Sequence, residues 1–441
     1  MNTMADFNDH IKSIDLKQKK WFYKGEGNAN LVLSIPEDSI VLRILKVEND
    51  KVDIETVKSI LMNAICFYEV ITSLFFHKQY IKIPELMIIK NKSISEINKD
   101  LKTFRPKIRL HKNIGSLLVA VYPDYTLSLP KITSLNETHY KEPIYCVEIK
   151  PKQGWIIDSE KVNSKCFFCM NQYLKFVEKT INTFSCYCPM ELFSGNVERM
   201  KEAIKNLLLT PQNNLKLFKN GLPITNNYLE SSLDDVFENV DEFSMLIVMS
   251  LIKEFKYFIK HNYTIITQAE NLNNCKEIHK TDLEITAHNI KFSGKGCNFN
   301  YTNLPENCVL NYILSMQKLQ SIDFTSIYSE YKENANELTD YYYVEQLNSK
   351  IKNSNFLNLD LFERYLLATT ARDCSIYVTF RKLNSFQLNQ TNQDYLIDIN
   401  NKYYFININV GDLDPKPLSC IKKHYKRNIN ILKAYIHYYK N

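Results

Sequence analysis

The sequence predicts an α/β (α+β) protein of two lobes, a small β-rich N-terminal lobe and a larger α/β C-terminal lobe. Three observations carry that prediction. In residues 21–47, "WFYKGEGNANLVLSIPEDSIVLRILKV", apolar runs at 31–35 and 40–47 flank the turn-prone "PEDS", the pattern of a β-hairpin. Apolar residues recur at helical spacing through 55–76, at Ile60, Leu61, Ala64, Ile65 and Phe67–Tyr68. Strand-like runs return late, at "CSIYVTFRKL" and "YYFININV", after a series of helical stretches.

Taken in order, the first lobe covers residues 1–126. It holds the hairpin, the helix, a loop plus strand at "YIKIPELMII", and a strand at "IGSLLVAVYPDYTL" (114–127) that runs into a connection near 123–126. The second lobe covers 127–441 and opens with a strand in "YCVEIKPKQGW". Helices are expected from near Cys169 through "NQYLKFVEKT", from Asn196 to Leu209, and over a long stretch at 241–262. The polar, acidic 221–241 and the Asn-, Gly- and Thr-rich 264–303 read as loops, together a variable insertion over about 221–305. A basic helix after Pro417 closes the chain.

Composition narrows the function classes. With 441 residues, 45% of them hydrophobic, the chain can bury a large core, and its net charge of +6 excludes a histone-like basic protein. From Lys416 onward there are seven Lys and Arg and no Asp or Glu, which points to a polyanionic partner. The N-terminal stretch "MNTMADFNDHIKSIDLKQKK" lacks the apolar segment of a signal peptide. The strongest apolar run, "MLIVMSLI" at 245–252, is far shorter than the roughly 20 residues that span a bilayer. A soluble, intracellular protein is expected, cytoplasmic and/or nuclear. Its eleven cysteines are then thiols or metal ligands rather than disulfides.

Several short stretches can carry chemistry. "KGEGNAN" (24–30) sets two glycines ahead of a strand, where backbone N–H groups can close over phosphates; an ordinary hairpin turn uses the same residues. Arg43 in "VLRILK" can reach phosphates from the sheet or sit on an exposed strand face. In "CVEIKPKQGW" (146–155), Lys150 and Lys152 end a strand, and period-two alternation puts both on one side of the chain with proline fixing the bend. Lysine is a compact three-donor charge suited to phosphate oxygens. Asp373 precedes a strand in "ARDCSIYVTF", and Asp412 and Asp414 follow one in "VGDLDPKPL". Singly, such aspartates are usually turn or cap residues. Together with a glycine turn and clustered lysines they fit phosphoryl transfer, in which one carboxylate takes the hydroxyl proton and another holds Mg²⁺. Cys166 and Cys169 form a CxxC, followed by Cys186 and Cys188, a spacing compatible with structural Zn²⁺ or with plain buried thiols. His279, His288, Cys297 and Cys308 lie in loop-like sequence without tight pairing and are read as unconnected with any metal.

Nine stretches in register, "GEGNANLVL", "VLRILK", "RPKIR", "CVEIKPKQGW", "CFFCMNQYLK", "YCPMELFSGN", "PQNNLKLFKNG", "ARDCSIYV" and "DLDPKPL", resemble the inositol-pentakisphosphate 2-kinase family over about residues 21–435. The resemblance implies a two-lobed inositol-phosphate-kinase architecture, akin to protein kinases. It also implies ATP- and Mg²⁺-dependent phosphorylation of the axial 2-hydroxyl of inositol 1,3,4,5,6-pentakisphosphate, giving the hexakisphosphate. On that resemblance Asp373 is the base, with Lys150 beside it. Arg109, Lys150, Lys152, Lys175, Asn213, Asn214, Lys416 and Tyr425 are substrate contacts, with Arg105 a further candidate. Gly25, Glu26, Gly27, Asn28, Asn30, Arg43, Asp124, Glu148 and Asp412 lie on the nucleotide side, and Asp412 also holds Mg²⁺. The CxxC resembles animal-type members, with Cys166, Cys169 and Cys188 as Zn²⁺ ligands and Cys186 the nearest fourth thiol in sequence. The sequence departs from the family at Asn171, where His is common, and at Cys420, where plant members carry Arg; Lys422, Lys423 or Tyr425 would have to compensate.

The expected partners are therefore inositol pentakisphosphate and ATP, with no obligate nucleic acid and no membrane, acting on a monomer. Two other readings stand beside this one. A kinase for a less phosphorylated inositol would be separated by assays on a substrate panel. A non-catalytic RNA or phosphoinositide binder would gain nothing from Asp373 and Asp412 in a basic groove, and RNA binding would call for stacking aromatics there.

Overall fold

The N-terminal sheet grows from the predicted hairpin. The computed structural model describes residues 11–48, 53–130, 142–224, 239–255, 296–336, 338–353, 356–384 and 391–440, with Phe237, 264–266 and Leu388. Strands β1 (Lys12–Asp15), β2 (Phe22–Glu26), β3 (Asn30–Ile35), β4 (Ile40–Val47), β5 (Glu85–Lys90), β6 (Asn113–Ile114) and β7 (Leu118–Pro123) form one sheet in the order β1-β5-β7-β4-β3-β2, with β6 paired to β4. The β3–β4 register runs from Asn30↔Leu45 to Ile35↔Ile40. Pro36 opens the connecting turn, and Ser39, at φ +52°, completes it in the left-handed region.

Helix α1 (Ile54–Leu74) covers one face of this sheet, and α2 (Ile94–Leu101) packs on the other side. In β7, Val119 and Val121 enter the core with Leu33, Ile44 and Ile97, while Leu118, Ala120 and Tyr122 enter the α1 side. A strand buried on both faces reads as a continuous apolar run, which is why "LLVAV" shows no alternation. By length and composition α1 would pass for a membrane span, but half of its most apolar window is buried inside the protein. It is a core helix: its Phe67 meets Tyr343 of the C-terminal lobe edge to face.

The C-terminal lobe is built on an antiparallel sheet of β8 (Tyr145–Ile149), β9 (Leu215–Lys219), β10 (Leu222–Pro223), β13 (Ser375–Leu383), β14 (Leu396–Ile399) and β15 (Lys402–Gly411), ordered β10-β9-β8-β13-β15-β14. A two-stranded parallel ribbon, β11 (Thr264–Ile266) with β12 (Phe356–Asn358), stands apart from it. Around the sheet lie α3 (Phe167–Val177), α4 (Pro189–Leu192), α5 (Val197–Leu209), α6 (Val240–Leu251), α7 (Val309–Gln317), α8 (Phe324–Asn334), α9 (Tyr342–Asn353), α10 (Leu361–Asp373) and α11 (Cys420–Lys440). Every residue of β8 is buried. Its register sets Ile149 across from Ile376 and Leu215, and Ser375 pairs with Gly411. The end of β8, the start of β13 and the end of β15 therefore meet at one edge of the sheet. That edge carries Lys150, Asp373 and Asp412.

The long helix expected at 241–262 stops at Leu251. Ile252 and Lys253 turn the chain, and Phe255 leaves the helical path to pack against Tyr80 and Tyr395. Burying that ring outweighs helical periodicity. Residues 256–262, and most of the 221–305 insertion with His279 and His288, lie outside the described residues.

Candidate active site

A cleft of about 810 Å³ lies between the two sheets. Its N-terminal wall is the turn at Gly25–Asn30 with Val32, Val41 and Arg43; its opposite wall carries Glu148, Lys150, Asn213, Asp412 and Asp414. A β-bulge between Tyr23 and Gly25 lifts the turn out of the β2–β3 ladder, and a side chain at Gly25 or Gly27 would meet no atom within 4 Å. The turn is open toward the cleft because nothing among the described residues packs against those glycines. Glu26 anchors it from behind. Its carboxylate accepts from Lys46 at 2.5 Å and from Arg105 at 2.9 Å through both Nε and Nη2, and all three side chains are buried. Burial alone would raise the Glu26 carboxyl, but Arg105 and Lys46 hold it below the usual range. Arg105 also donates to the carbonyls of Arg109 and Lys112, so it fixes the loop instead of facing substrate. That loop presents Arg109 to the cleft, where Nη1 donates to Asn28 Oδ1 at 3.1 Å.

Asp124, at the end of β7, is buried and fully engaged. It accepts from Lys24 at 2.5 Å, Ser34 at 2.8 Å and Thr126 at 2.6 Å. Its carboxylate ties the connection between the lobes to β2 and β3. Arg43 crosses the cleft and grips Asp414 with both terminal nitrogens, one at 3.0 Å, while its guanidinium lies 5.3 Å from the Tyr122 ring centre.

On the opposite wall Asp412 adopts a left-handed backbone, φ +58°. Its Oδ2 accepts from Lys150 Nζ at 2.7 Å and Ser375 Oγ at 2.9 Å. Burial pushes this carboxyl up, yet Lys150 and Arg43 hold it well below the ordinary carboxylate range. Glu148 on β8, two strands over with β13 between, accepts from Lys216 and Ser375, both at 3.2 Å. Asp373 ends α10 and is half-exposed; Lys416 Nζ lies 2.9 Å from Oδ2 and Lys152 Nζ 3.7 Å from Oδ1. Burial opposes its charge, but Lys416 and Lys152 prevail and keep it ionised.

The two lysines of "CVEIKPKQGW" do not follow strand alternation. β8 ends at Ile149, and Lys152 is itself left-handed at φ +62°. The bend turns them to different carboxylates, Lys150 to Asp412 and Lys152 to Asp373. Burial and its Asp412 partner act oppositely on Lys150, and the partner wins, raising its pKa. Burial dominates at Lys152 and lowers its pKa. The Asn214 carbonyl positions Lys150 by accepting its backbone N–H at 2.8 Å, and the buried side-chain N and O of Asn214 have no hydrogen bond among the described residues. Lys175 Nζ donates to Gln212 at 3.1 Å; burial first, then Lys152 and Arg427, depress its pKa.

Tyr425 does not join this group. Its ring stacks on Tyr328 at 4.0 Å between centres, in an aromatic cluster with Phe324. Lys422 and Lys423 are exposed. Along α11 the face that includes Cys420 continues through His424 and Arg427, at i+4 and i+7. His424 Nδ1 lies 3.0 Å from the Tyr365 hydroxyl and feels the Asp373 charge; Arg427 donates to Asn171 at 3.0 Å and to Glu178 at 2.5 Å and shares the field around Lys175. Helical spacing from Cys420 would have selected these two residues over Tyr425.

A separate cluster joins Cys166, Cys169, Cys188 and Cys297, whose sulfurs all lie within 4.8 Å of one another. The Cys166–Cys188 and Cys188–Cys297 separations are 4.0 and 3.6 Å. Tetrahedral Zn–S bonds of about 2.3 Å require sulfur edges of about 3.8 Å. The fourth thiol is thus Cys297, against the sequence reading that leaves it unconnected with any metal, while Cys186 is exposed and outside the cluster. Cys308 caps α7, buried elsewhere. Among the described residues no cysteine is in a disulfide.

A glycine turn facing paired carboxylates across an interlobe cleft, with a cationic rim at the same sheet edge, defines a two-lobed phosphotransferase of the kinase type. Residues 23–429 match the family described as inositol-pentakisphosphate 2-kinase. The chain belongs to that family. The zebrafish inositol-pentakisphosphate 2-kinase is 25% identical, over 96% of this chain and 94% of its own length. The Arabidopsis thaliana enzyme of that name is 25% identical over 94% and 93%, and the Drosophila melanogaster one 25% identical over 56% of each chain.

Proposed function

We propose that this protein transfers the γ-phosphoryl group of ATP to the 2-hydroxyl of inositol 1,3,4,5,6-pentakisphosphate, forming the hexakisphosphate. The observation that carries this reading is Asp373, an ionised carboxylate set between Lys416 and Lys152. A substrate with five phosphates brings roughly −1.5 to −2 charge on each. Lys152, Lys416, Lys175 and Arg109 supply donors around it, and the one carboxylate among them is suited to take the proton from the free hydroxyl as the new P–O bond forms. Phosphoryl transfer asks for little beyond such positioning and charge stabilisation.

The nucleotide fits the cleft under the Gly25–Gly27 turn, with Arg43, Glu148 and Asp412 toward its phosphates. The hard oxygen donors Asp412 and Glu148 suit Mg²⁺, and Asp412 Oδ1 accepts no hydrogen bond among the described residues. Mg²⁺ would neutralise phosphate charge there, while Lys150 bridges the two substrate sides. We further propose that the four-cysteine cluster holds a structural Zn²⁺, joining the start of α3, the helix that carries Lys175, to Cys297 near the end of the insertion. Elemental analysis of the purified protein should find one zinc per chain, and Cys297→Ser should abolish it.

Purified protein incubated with Mg-ATP and a panel of inositol phosphates tests the reaction. Conversion of the pentakisphosphate to hexakisphosphate in preference to less phosphorylated inositols is expected. Preference for a lower inositol phosphate would overturn the substrate assignment.

A further inference from the structure

Ser375 opens β13, two residues beyond Asp373, and is completely buried opposite Gly411. Its Oγ is 2.9 Å from Asp412 Oδ2 and 3.2 Å from Glu148 Oε1. A hydroxyl carries a single proton, so it donates to one of these carboxylates at a time and links the pair. Lys150 approaches the same Asp412 oxygen, Oδ2, at 2.7 Å. Both donors therefore converge on one oxygen and leave Oδ1 without a hydrogen bond among the described residues. Glu148 is held differently, with one donor on each oxygen, Lys216 at Oε2 and Ser375 at Oε1. Asp412 sits on a left-handed residue just past the strand, φ +58°, where its backbone alone does not fix the direction of the carboxylate.

We infer that Ser375 is a positioning residue: its buried hydroxyl pins Asp412 Oδ2 toward the sheet, aims Oδ1 at the cleft and couples Glu148 to the same oxygen set. The inference rests on the proposed role of Asp412 as a divalent-cation ligand. Lys150 cannot replace the hydroxyl, because an ammonium on a long flexible stem holds charge without fixing a plane. Mg²⁺ tolerates little departure from octahedral geometry, so a carboxylate free to rotate would bind it less well.

The test uses the full-length protein with saturating ADP, and Mn²⁺ binding read by water-proton relaxation. Ser375→Ala should weaken Mn²⁺ about tenfold, leave ADP affinity in EDTA within twofold, and leave the thermal midpoint essentially unchanged. The Mg²⁺ concentration needed for half-maximal turnover should rise by a similar factor, with little change in KM for the inositol phosphate. Ser375→Thr, which restores the hydroxyl, should recover most of the Mn²⁺ affinity. Asp412→Asn separates the two claims. Retained Mn²⁺ binding in Asp412→Asn would remove the metal-ligand reading itself. Loss in Asp412→Asn with wild-type Mn²⁺ binding in Ser375→Ala would overturn the positioning role alone. A uniform loss of stability, ADP and Mn²⁺ in Ser375→Ala, unrescued by Thr, would make the residue merely structural.

Discussion

The two faces of the cleft region are charged on different principles. Toward the glycine turn, ionic groups are paired within the protein: Lys24 with Asp124, Arg43 with Asp414, Lys46 and Arg105 with Glu26, Lys150 with Asp412. Toward α10 and α11 the balance is uneven. Four cations, Lys152, Lys175, Lys416 and Arg427, meet two carboxylates, Asp373 and Glu178, against the five cations and four carboxylates toward the turn, and among the described residues Lys175 donates to the neutral Gln212. Burial depresses both Lys152 and Lys175; neighbouring cations add to it, and at Lys152 Asp373 opposes it. A face with paired charges suits a ligand whose charge a metal already offsets. A face with excess cations suits a ligand that arrives with its own negative charge, which is how the proposed substrates differ.

The largest expected effect breaks the uneven face at its centre. Asp373→Ala should lower turnover by about 10²–10⁴-fold, the range of a lost acid–base group, with ATP affinity unchanged within a few fold. Normal turnover in that variant would remove the base assignment. Next, Lys152→Ala should raise KM for inositol pentakisphosphate by about 10–100-fold, as expected for a lost charge-assisted hydrogen bond, and leave KM for ATP alone. Lys150→Ala should raise both, since Lys150 touches Asp412; steady-state kinetics on the pair would show whether the two lysines divide between the faces.

A smaller contrast lies along α11. Arg427→Ala should raise KM for the inositol phosphate several-fold, whereas Tyr425→Phe should change neither KM beyond twofold. The reverse order would return Tyr425 to the site.

The smallest effect concerns stability behind Asp373. Burial, opposed by Arg372 and aided by Asp323, pushes the Glu160 carboxyl up to about 7. A carboxyl raised in the folded state favours the fold while protonated. Its contribution is complete below the unfolded pKa of about 4.5, falls as pH rises toward 7, and is absent above. Glu160→Gln should therefore raise the melting temperature at pH 8 by a few degrees and leave it nearly unchanged at pH 4.5. Equal shifts at both pH values would show that the charge of Glu160 is irrelevant.

Much of this architecture was legible in the chain. The hairpin could be read because "PEDS" separates two runs that each fill one strand, and α5 because Asn196 caps it and its apolar positions recur at helical spacing. The positions of Asp373, Asp412 and Lys150 could be read because each charge borders an apolar run, whereas their proposed roles came from the family resemblance. Other features depended on distance. Cys297 is 109 residues from Cys188 and lies in loop-like sequence without a paired cysteine or histidine, so only the folded chain joins them. Ser375 looks like any small strand residue until its hydroxyl is found between two carboxylates. Lys152 defeated the alternation rule because the residue after Pro151 is left-handed, a choice lysine seldom makes and sequence does not advertise.

The contrast between the faces is tested most directly by calorimetric titration of one protein sample with inositol pentakisphosphate and with Mg-ATP, each at low and high salt. Screening weakens unpaired charge attraction most. The pentakisphosphate should lose at least tenfold in affinity between about 50 and 300 mM salt while Mg-ATP loses no more than about threefold. Equal salt sensitivity for the two ligands would contradict the account.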